Sequence, residues 1–240
     1  MQKATSALYR IVSGLILGSS LFMSDAAADG LAIDKVYHPY VQPLEREIEF
    51  RWLRFNTKDS GKNDIYRLGY GQSLSADWFA EIYIIGGNEQ DELSADAYEL
   101  EAKWQLTEQG EFSADWGLLF ELEREADRPN WEFSTSLLVA KEWGRTVGTA
   151  NLGLAFESGS DIEDELESFA ALQLRYRYSR ALEPALELYS GQNTLGAGPV
   201  LMGEQRFGIR KKLHWEFGTI FGISDETPDT TLRALAEFEF

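Results

Sequence analysis

Charged residues recur at every second position in several stretches of the chain. Glu47, Glu49 and Arg51 do so, as do Glu99, Glu101 and Lys103, Glu121 and Glu123, Arg175 and Arg177, His214 and Glu216, and Glu237 and Glu239. Side chains two apart on an extended backbone share a face, so each set is a small array of charges. Such arrays can move protons, hold a hard cation through oxygen ligands, or line a water-filled passage. Proton transfer or nucleophilic catalysis needs a base oriented by a third group. The chain has two histidines, His38 and His214, and the pair His214 and Glu216 supports a membrane-embedded hydrolase as one alternative. HExxH, GxSxG and a glycine-rich phosphate loop do not occur in the sequence. The acidic clusters at 89–92, 161–165 and 225–229 lack EF-hand spacing and read as solvated loop charge. The sequence therefore assigns no catalytic residue, no metal and no cofactor.

Composition narrows the partners. With 240 residues, a net charge of −18 and an isoelectric point near 4.5, the chain lacks the cationic surface that nucleic-acid phosphates require. Without cysteine it carries no disulfide, no thiolate zinc site and no lipid-modified N-terminal cysteine. Lys3 and Arg10, the apolar run 11–23 and Ala26-Ala27-Ala28 form the pattern of an export signal. Residues 1–28 are expected to be a signal peptide, 29–43 a periplasmic N-terminal segment, and 44–240 one domain.

The elements that must position these charges follow from the alternation. In Glu47-Ile48-Glu49-Phe50-Arg51-Trp52 the opposite face is Ile48, Phe50 and Trp52, and 98–104, 170–178 and 213–217 repeat the arrangement. A helix would scatter these charges around its axis, whereas strands of about ten residues with one oily and one ionic face are the signature of a membrane barrel. We expect an all-β, antiparallel up-and-down barrel of about twelve strands, with ten kept open because 191–208 is irregular. Long outer loops are expected at 56–64, 86–96, 124–130, 158–166, 190–198 and 224–230. Tight turns are expected at 73–77, 107–111, 143–146, 179–182 and 210–212. Trp78, Trp104, Phe112, Trp143, Tyr178 and Trp215 fall beside those turns, as an interfacial aromatic girdle would. Arg145, Arg180, Arg210, Lys211 and Lys212 add basic charge to the same end.

Function must then reside in the lumen or the loops. The inward residues proposed to line a pore are Glu47, Glu49, Arg51, Arg67, Glu81, Glu99, Glu101, Lys103, Glu121, Arg175, Arg177, Glu187, His214, Glu216 and Arg233. The excess of carboxylates points to a passive outer-membrane channel that prefers cations. The alternative is a closed structural or adhesive barrel whose arginines and glutamates pair across the lumen. The segment Tyr37-His38-Pro39-Tyr40-Val41-Gln42-Pro43 suits either a short plug or a periplasmic tether.

The last strand, Leu232 to Phe240, has apolar residues at alternate positions and ends on an aromatic. It resembles the terminal strand by which outer-membrane barrels are recognised for insertion, with Phe238 and Phe240 as the signal. The stretch 218–229, with Gly222-Ile223-Ser224-Asp225 and Pro228-Asp229 ahead of that strand, resembles the end of a porin-like family labelled after the MetA-pathway of phenol degradation. Ile223 and Ser224 stand where that family usually has Leu and Thr. The resemblance covers about a tenth of the chain. It implies an outer-membrane barrel that transports hydrophobic or aromatic solutes, and does not imply an enzyme. The partners implied are outer-membrane lipid and lipopolysaccharide, the barrel assembly machinery and small cationic or aromatic solutes.

Overall fold

The computed structural model describes residues 33–57, 61–89, 92–160, 162–209 and 211–240; the expected signal peptide lies outside them. The alternating pattern becomes strands: β1 (Arg46–Thr57), β2 (Gly61–Ser73), β3 (Trp78–Glu89), β4 (Glu92–Gln105), β5 (Asp115–Glu125), β6 (Trp131–Trp143), β7 (Thr146–Ser158), β8 (Glu165–Tyr176), β9 (Glu183–Ser190), β10 (Leu195–Phe207), β11 (Lys211–Gly222) and β12 (Thr230–Glu239). Each pairs antiparallel with its sequence neighbour, and β1 pairs with β12 to close the barrel. Closure removes both sheet edges, so the backbone polar groups of every strand find partners in the ladder.

The fold is thus a twelve-stranded all-β barrel. The irregular region 191–208 supplies one continuous strand, β10, because the β10–β11 register resumes unchanged past Gly198 and Pro199, from Ala197↔Phe221 to Val200↔Gly218. A Cβ at Gly198 would lie 1.8 Å from the Thr219 carbonyl oxygen, so glycine is what lets the strands approach there.

The expected contrast between long and short connections does not hold. Residues 56–64 and 86–96 belong largely to β1, β2, β3 and β4, and the connection 106–114 falls at the end that carries residues 46 and 239. That end is called the terminal end below, and its opposite the far end. Polar sequence extends strands here instead of ending them, because the charges pair across the ladder. Arg54 donates to both Asp64 oxygens at 2.6 and 2.7 Å, and the Trp52 indole donates to the same carboxylate at 3.2 Å.

Outward positions carry Ile48, Phe50, Leu68, Ile82, Ile84, Leu100, Leu152 and Leu172, all exposed, while their sequence neighbours are buried. An apolar exterior around an ionic interior is the inverse of a soluble barrel. At the terminal end Trp78 stacks on Trp104 with ring centroids 5.2 Å apart, and Phe112, Trp143 and Tyr178 are exposed beside them. Phe238 and Phe240 continue the band with centroids 6.2 Å apart, and the Phe240 N–H donates to Arg46 across the closing seam.

Candidate functional site: the charged lumen

The pairing register turns the scattered carboxylates into two rows. The first runs Glu239↔Glu47, Glu47↔Gly71, Gly71↔Glu81, Glu81↔Glu101, Glu101↔Glu121, Glu121↔Ser134, Ser134↔Ala155 and Ala155↔Glu167. The second lies two residues along each strand, from Glu237 and Glu49 through Gly69 and Tyr83 to Glu99, Glu123, Glu132, Glu157 and Glu165. Strands in a barrel tilt, so a row followed from neighbour to neighbour climbs the wall. The first starts beside the termini on β12 and β1 and finishes near the far end of β8. Like charges directly opposite one another destabilise a sheet. A wall that keeps them so is arranged for something other than stability.

Inside this wall lies the N-terminal segment. Ile33 and Val36 pack against an apolar patch of Ala171, Ala185, Tyr189, Val200, Met202 and Ile220 on β8 to β11. The intervening polar side chains face the charged wall. The Asp34 carboxylate takes hydrogen bonds from Arg51 and Arg67, and its carbonyl oxygen accepts from Arg233 and from the Tyr189 hydroxyl, the latter at 2.7 Å. Lys35 Nζ lies 2.5 Å from Glu49 Oε2. The Tyr37 hydroxyl donates to Glu101 at 2.6 Å, while its backbone exchanges two hydrogen bonds with the Asn151 amide, at 2.7 and 2.8 Å. Further along, the Tyr40 hydroxyl donates to Asp115 at 2.8 Å, and the Val41 N–H to Gln105 at 2.6 Å. Gly117 leaves room for Pro39, which a Cβ would meet at 2.9 Å. The strap leaves the lumen at Leu44, an exposed residue with φ of 66°.

Among the described residues, a cavity lies on either side of the strap. The terminal-end cavity has a volume of about 570 Å³ and the far-end cavity about 270 Å³. Lys35, Tyr37 and Leu119 line both and form the partition between them.

The sequence-nominated residues fall into three sets. Glu47, Glu81, Glu101, Lys103, Arg175, Arg177, His214 and Glu216 line the terminal-end cavity. Arg67, Glu99 and Glu121 line the far-end cavity. Glu49, Arg51, Glu187 and Arg233 are buried in an ionic belt around the strap. In that belt Arg51 binds Glu49, its Nε at 2.9 Å. Arg67 binds Glu99. Arg233 binds Glu187 at 3.0 Å and Glu216 at 2.9 Å. The Tyr83 ring sits between two guanidinium groups, 5.5 Å from Arg51 and 5.5 Å from Arg67, a cation–π arrangement that holds both against the wall.

His214 Nε2 lies 3.0 Å from Glu216 Oε1, and Glu216 in turn holds Arg233. This commits the pair to the ionic belt, and no serine, threonine or cysteine side chain is bonded to His214 among the described residues. The alternation did not single out Asp34, Lys35, Tyr37, Tyr83 and Tyr189. Tyr83 and Tyr189 count as apolar in an alternation, although both present hydroxyls to the lumen. Their signal was parity: each stands two residues from a lumen glutamate, Glu81 and Glu187.

No family model matches the chain, and no curated protein matches it in sequence. Solved structures do resemble it. An outer membrane channel from Pseudomonas putida F1 has a TM-score of 0.58 at 12% identity, over 87% of this chain and 100% of that one. The KdgM porin in complex with disordered oligogalacturonate has a TM-score of 0.56 at 10% identity, over 81% of this chain and 99% of that one. The NanC porin has 0.55 at 9% identity, over 81% and 98%. These likenesses show the fold. It is that of the outer-membrane porin-type barrels.

Proposed function

We propose that the protein is a passive channel of the Gram-negative outer membrane for small cationic solutes. The observation that carries this reading is the climbing row of carboxylates, which supplies acids to the terminal-end cavity, to the partition and to the far-end cavity. A carboxylate-lined path concentrates cations and repels anions. Tyr37, His38, Tyr40 and Phe79 share the terminal-end cavity with Glu47, Glu81 and Glu101, a lining that suits a cation with an aromatic or apolar body. In this reading outer-membrane lipid and lipopolysaccharide surround the apolar belt, and Phe238 and Phe240 present the signal to the assembly machinery.

The test is single-channel recording of the refolded mature protein in a planar bilayer under a potassium chloride gradient. Steps with a cation-selective reversal potential are expected, and Glu99→Gln with Glu101→Gln should move that potential toward zero. Silence across several lipid compositions, from protein shown to be folded by heat-modifiable gel mobility, overturns the channel. It would favour the second reading, a closed barrel, to which the strap seated between the cavities gives specific support.

A further inference from the structure

We propose that Glu99, Glu101 and Glu121 form a divalent-cation site at the partition of the lumen. One carboxylate oxygen from each lies within 4.8 Å of the others, a spread that a calcium ion bridges with metal–oxygen distances of about 2.3–2.6 Å. Two strands bring them together: Glu101 and Glu121 are register partners on β4 and β5, and Glu99 stands two residues before Glu101 on the same face of β4. Glu101 opens on the terminal-end cavity, whereas Glu99 and Glu121 open on the far-end cavity, so an ion held by all three would sit between the compartments.

The charge in this cluster is under-compensated. Arg67 binds Glu99 but is shared with Asp34. Glu101 accepts from the Tyr37 hydroxyl and Glu121 from the Ser134 hydroxyl, neither of which carries charge. Among the described residues no ammonium or guanidinium lies within 4.0 Å of the Glu101 or Glu121 carboxylate. Two further atoms point to a ligand. Glu99 is 5% exposed and its Oε1 has no hydrogen-bond partner; Glu81, the register partner of Glu101, is 4% exposed and its Oε1 is also without one. A buried carboxylate oxygen without a donor is costly unless a cation satisfies it.

The barrel contains its own comparison. Glu45, Glu47 and Glu239 form a second triad of the same spacing, and there Lys212 supplies the cation, with Nζ 2.5 Å from Glu239 and 4.0 Å from Glu45. The partition triad has the oxygens without the ammonium. The proposal rests on the channel reading and deepens it by naming what binds at the partition, but a closed barrel could hold the same ion.

The experiment is isothermal titration of calcium chloride into the refolded mature chain in detergent at constant potassium chloride. Folding of each variant is checked by heat-modifiable mobility. One saturable site is expected, weakened at least tenfold in Glu101→Gln and in Glu121→Gln, and unchanged in Glu45→Gln. Glu121 is partly exposed, so its variant folds even if the buried Glu101 variant does not. Absence of saturable binding, an affinity in both partition variants equal to that of the unaltered chain, or loss of affinity in Glu45→Gln overturns the site. Bilayer recording of the same samples reports conduction separately: binding without conduction removes the channel and leaves the site, and conduction without binding does the reverse.

Discussion

Asp34→Asn tests whether the strap is latched by charge. The carboxylate is shared by Arg51 and Arg67, both buried, and the amide keeps its shape while removing its charge. Removing one partner of a buried ion pair costs about 3–5 kcal/mol. Arg51 retains Glu49 and Arg67 retains Glu99, which places the loss near the lower bound, about 3 kcal/mol. At 1.4 kcal/mol per tenfold, the population of released strap rises roughly a hundredfold. Lys35, one residue along and seated in the lumen against Glu49, provides the assay, because trypsin reaches it when the strap is out. Cleavage after Lys35 tracks the open population when reclosing is fast, so its rate should rise roughly a hundredfold in the variant, with the barrel still folded by gel mobility. An unchanged rate at Lys35 would refute the latch and leave apolar packing of Ile33 and Val36 as what seats the strap.

Three more predictions use the same segment and its wall. Burial in the lumen, reinforced by the Arg175 charge, holds the His38 imidazole well below its ordinary 6.5, with Glu216, His214 and Lys103 also facing it. A base that is neutral when docked and protonated when released loses docking strength as pH falls below 6.5, by up to about 1.4 kcal/mol per pH unit. Cleavage after Lys35, followed with a protease active across the range, should therefore rise below pH 6.5 and stay flat in His38→Gln. Asp34 acts in a lower window. Burial pushes its carboxyl up, but Arg51 and Arg67 outweigh this and hold it down from 3.8 to about 2. Its contribution is full above 3.8 and is lost as pH falls toward about 2, so Asp34→Asn should abolish a second release there. In the wall, a Cβ on Gly69 would fall 2.4 Å from the Tyr83 ring. Gly69→Ala should cost about 1–3 kcal/mol in urea unfolding from lipid vesicles, and Tyr83→Ala in the same chain should recover part of it; an unshifted midpoint for Gly69→Ala alone refutes that packing.

Parity carried most of what the sequence disclosed. An inward glutamate between outward leucines reads the same in any barrel, so the strands and the charged face of the lumen follow from alternation alone. The ends of the strands do not, because Asp64 reads as loop until Arg54 is known to stand opposite it. The strap was legible only as the choice between plug and tether that 37–43 left open, and its contacts were not legible. Nothing local tells that Asp34 meets Arg51, Arg67 and Arg233, which come from β1, β2 and β12. Nor does local sequence show that Glu81, Glu101 and Glu121 share one row, since that depends on register across two hairpins. The C-terminal stretch that resembles a known family has a local structural role here. Gly222 lies where a Cβ would meet the Pro228 carbonyl oxygen at 2.4 Å, and the Thr227 hydroxyl, 2.6 Å from that of Ser224, accepts from the Leu195 N–H at 2.8 Å. Those residues shape a hairpin and pin it to β10, a role that carries no information about solute.

The register that builds the carboxylate rows also sets a grammar for change. Each strand is read in steps of two, and both of its neighbours are read in the same frame. A single residue inserted inside β4 and not taken up by a bulge would turn Glu99 and Glu101 to the outer face and bring Tyr98 and Leu100 into the lumen, much as a frameshift corrupts everything downstream of it. Two residues inserted together would preserve the frame and slide the row by one step. Sequences descended from this one can therefore lengthen their hairpin tips by any number, but their walls must change length in pairs or absorb the odd residue in a bulge, as β4 does at Asp96 opposite Ile85 and Gly86.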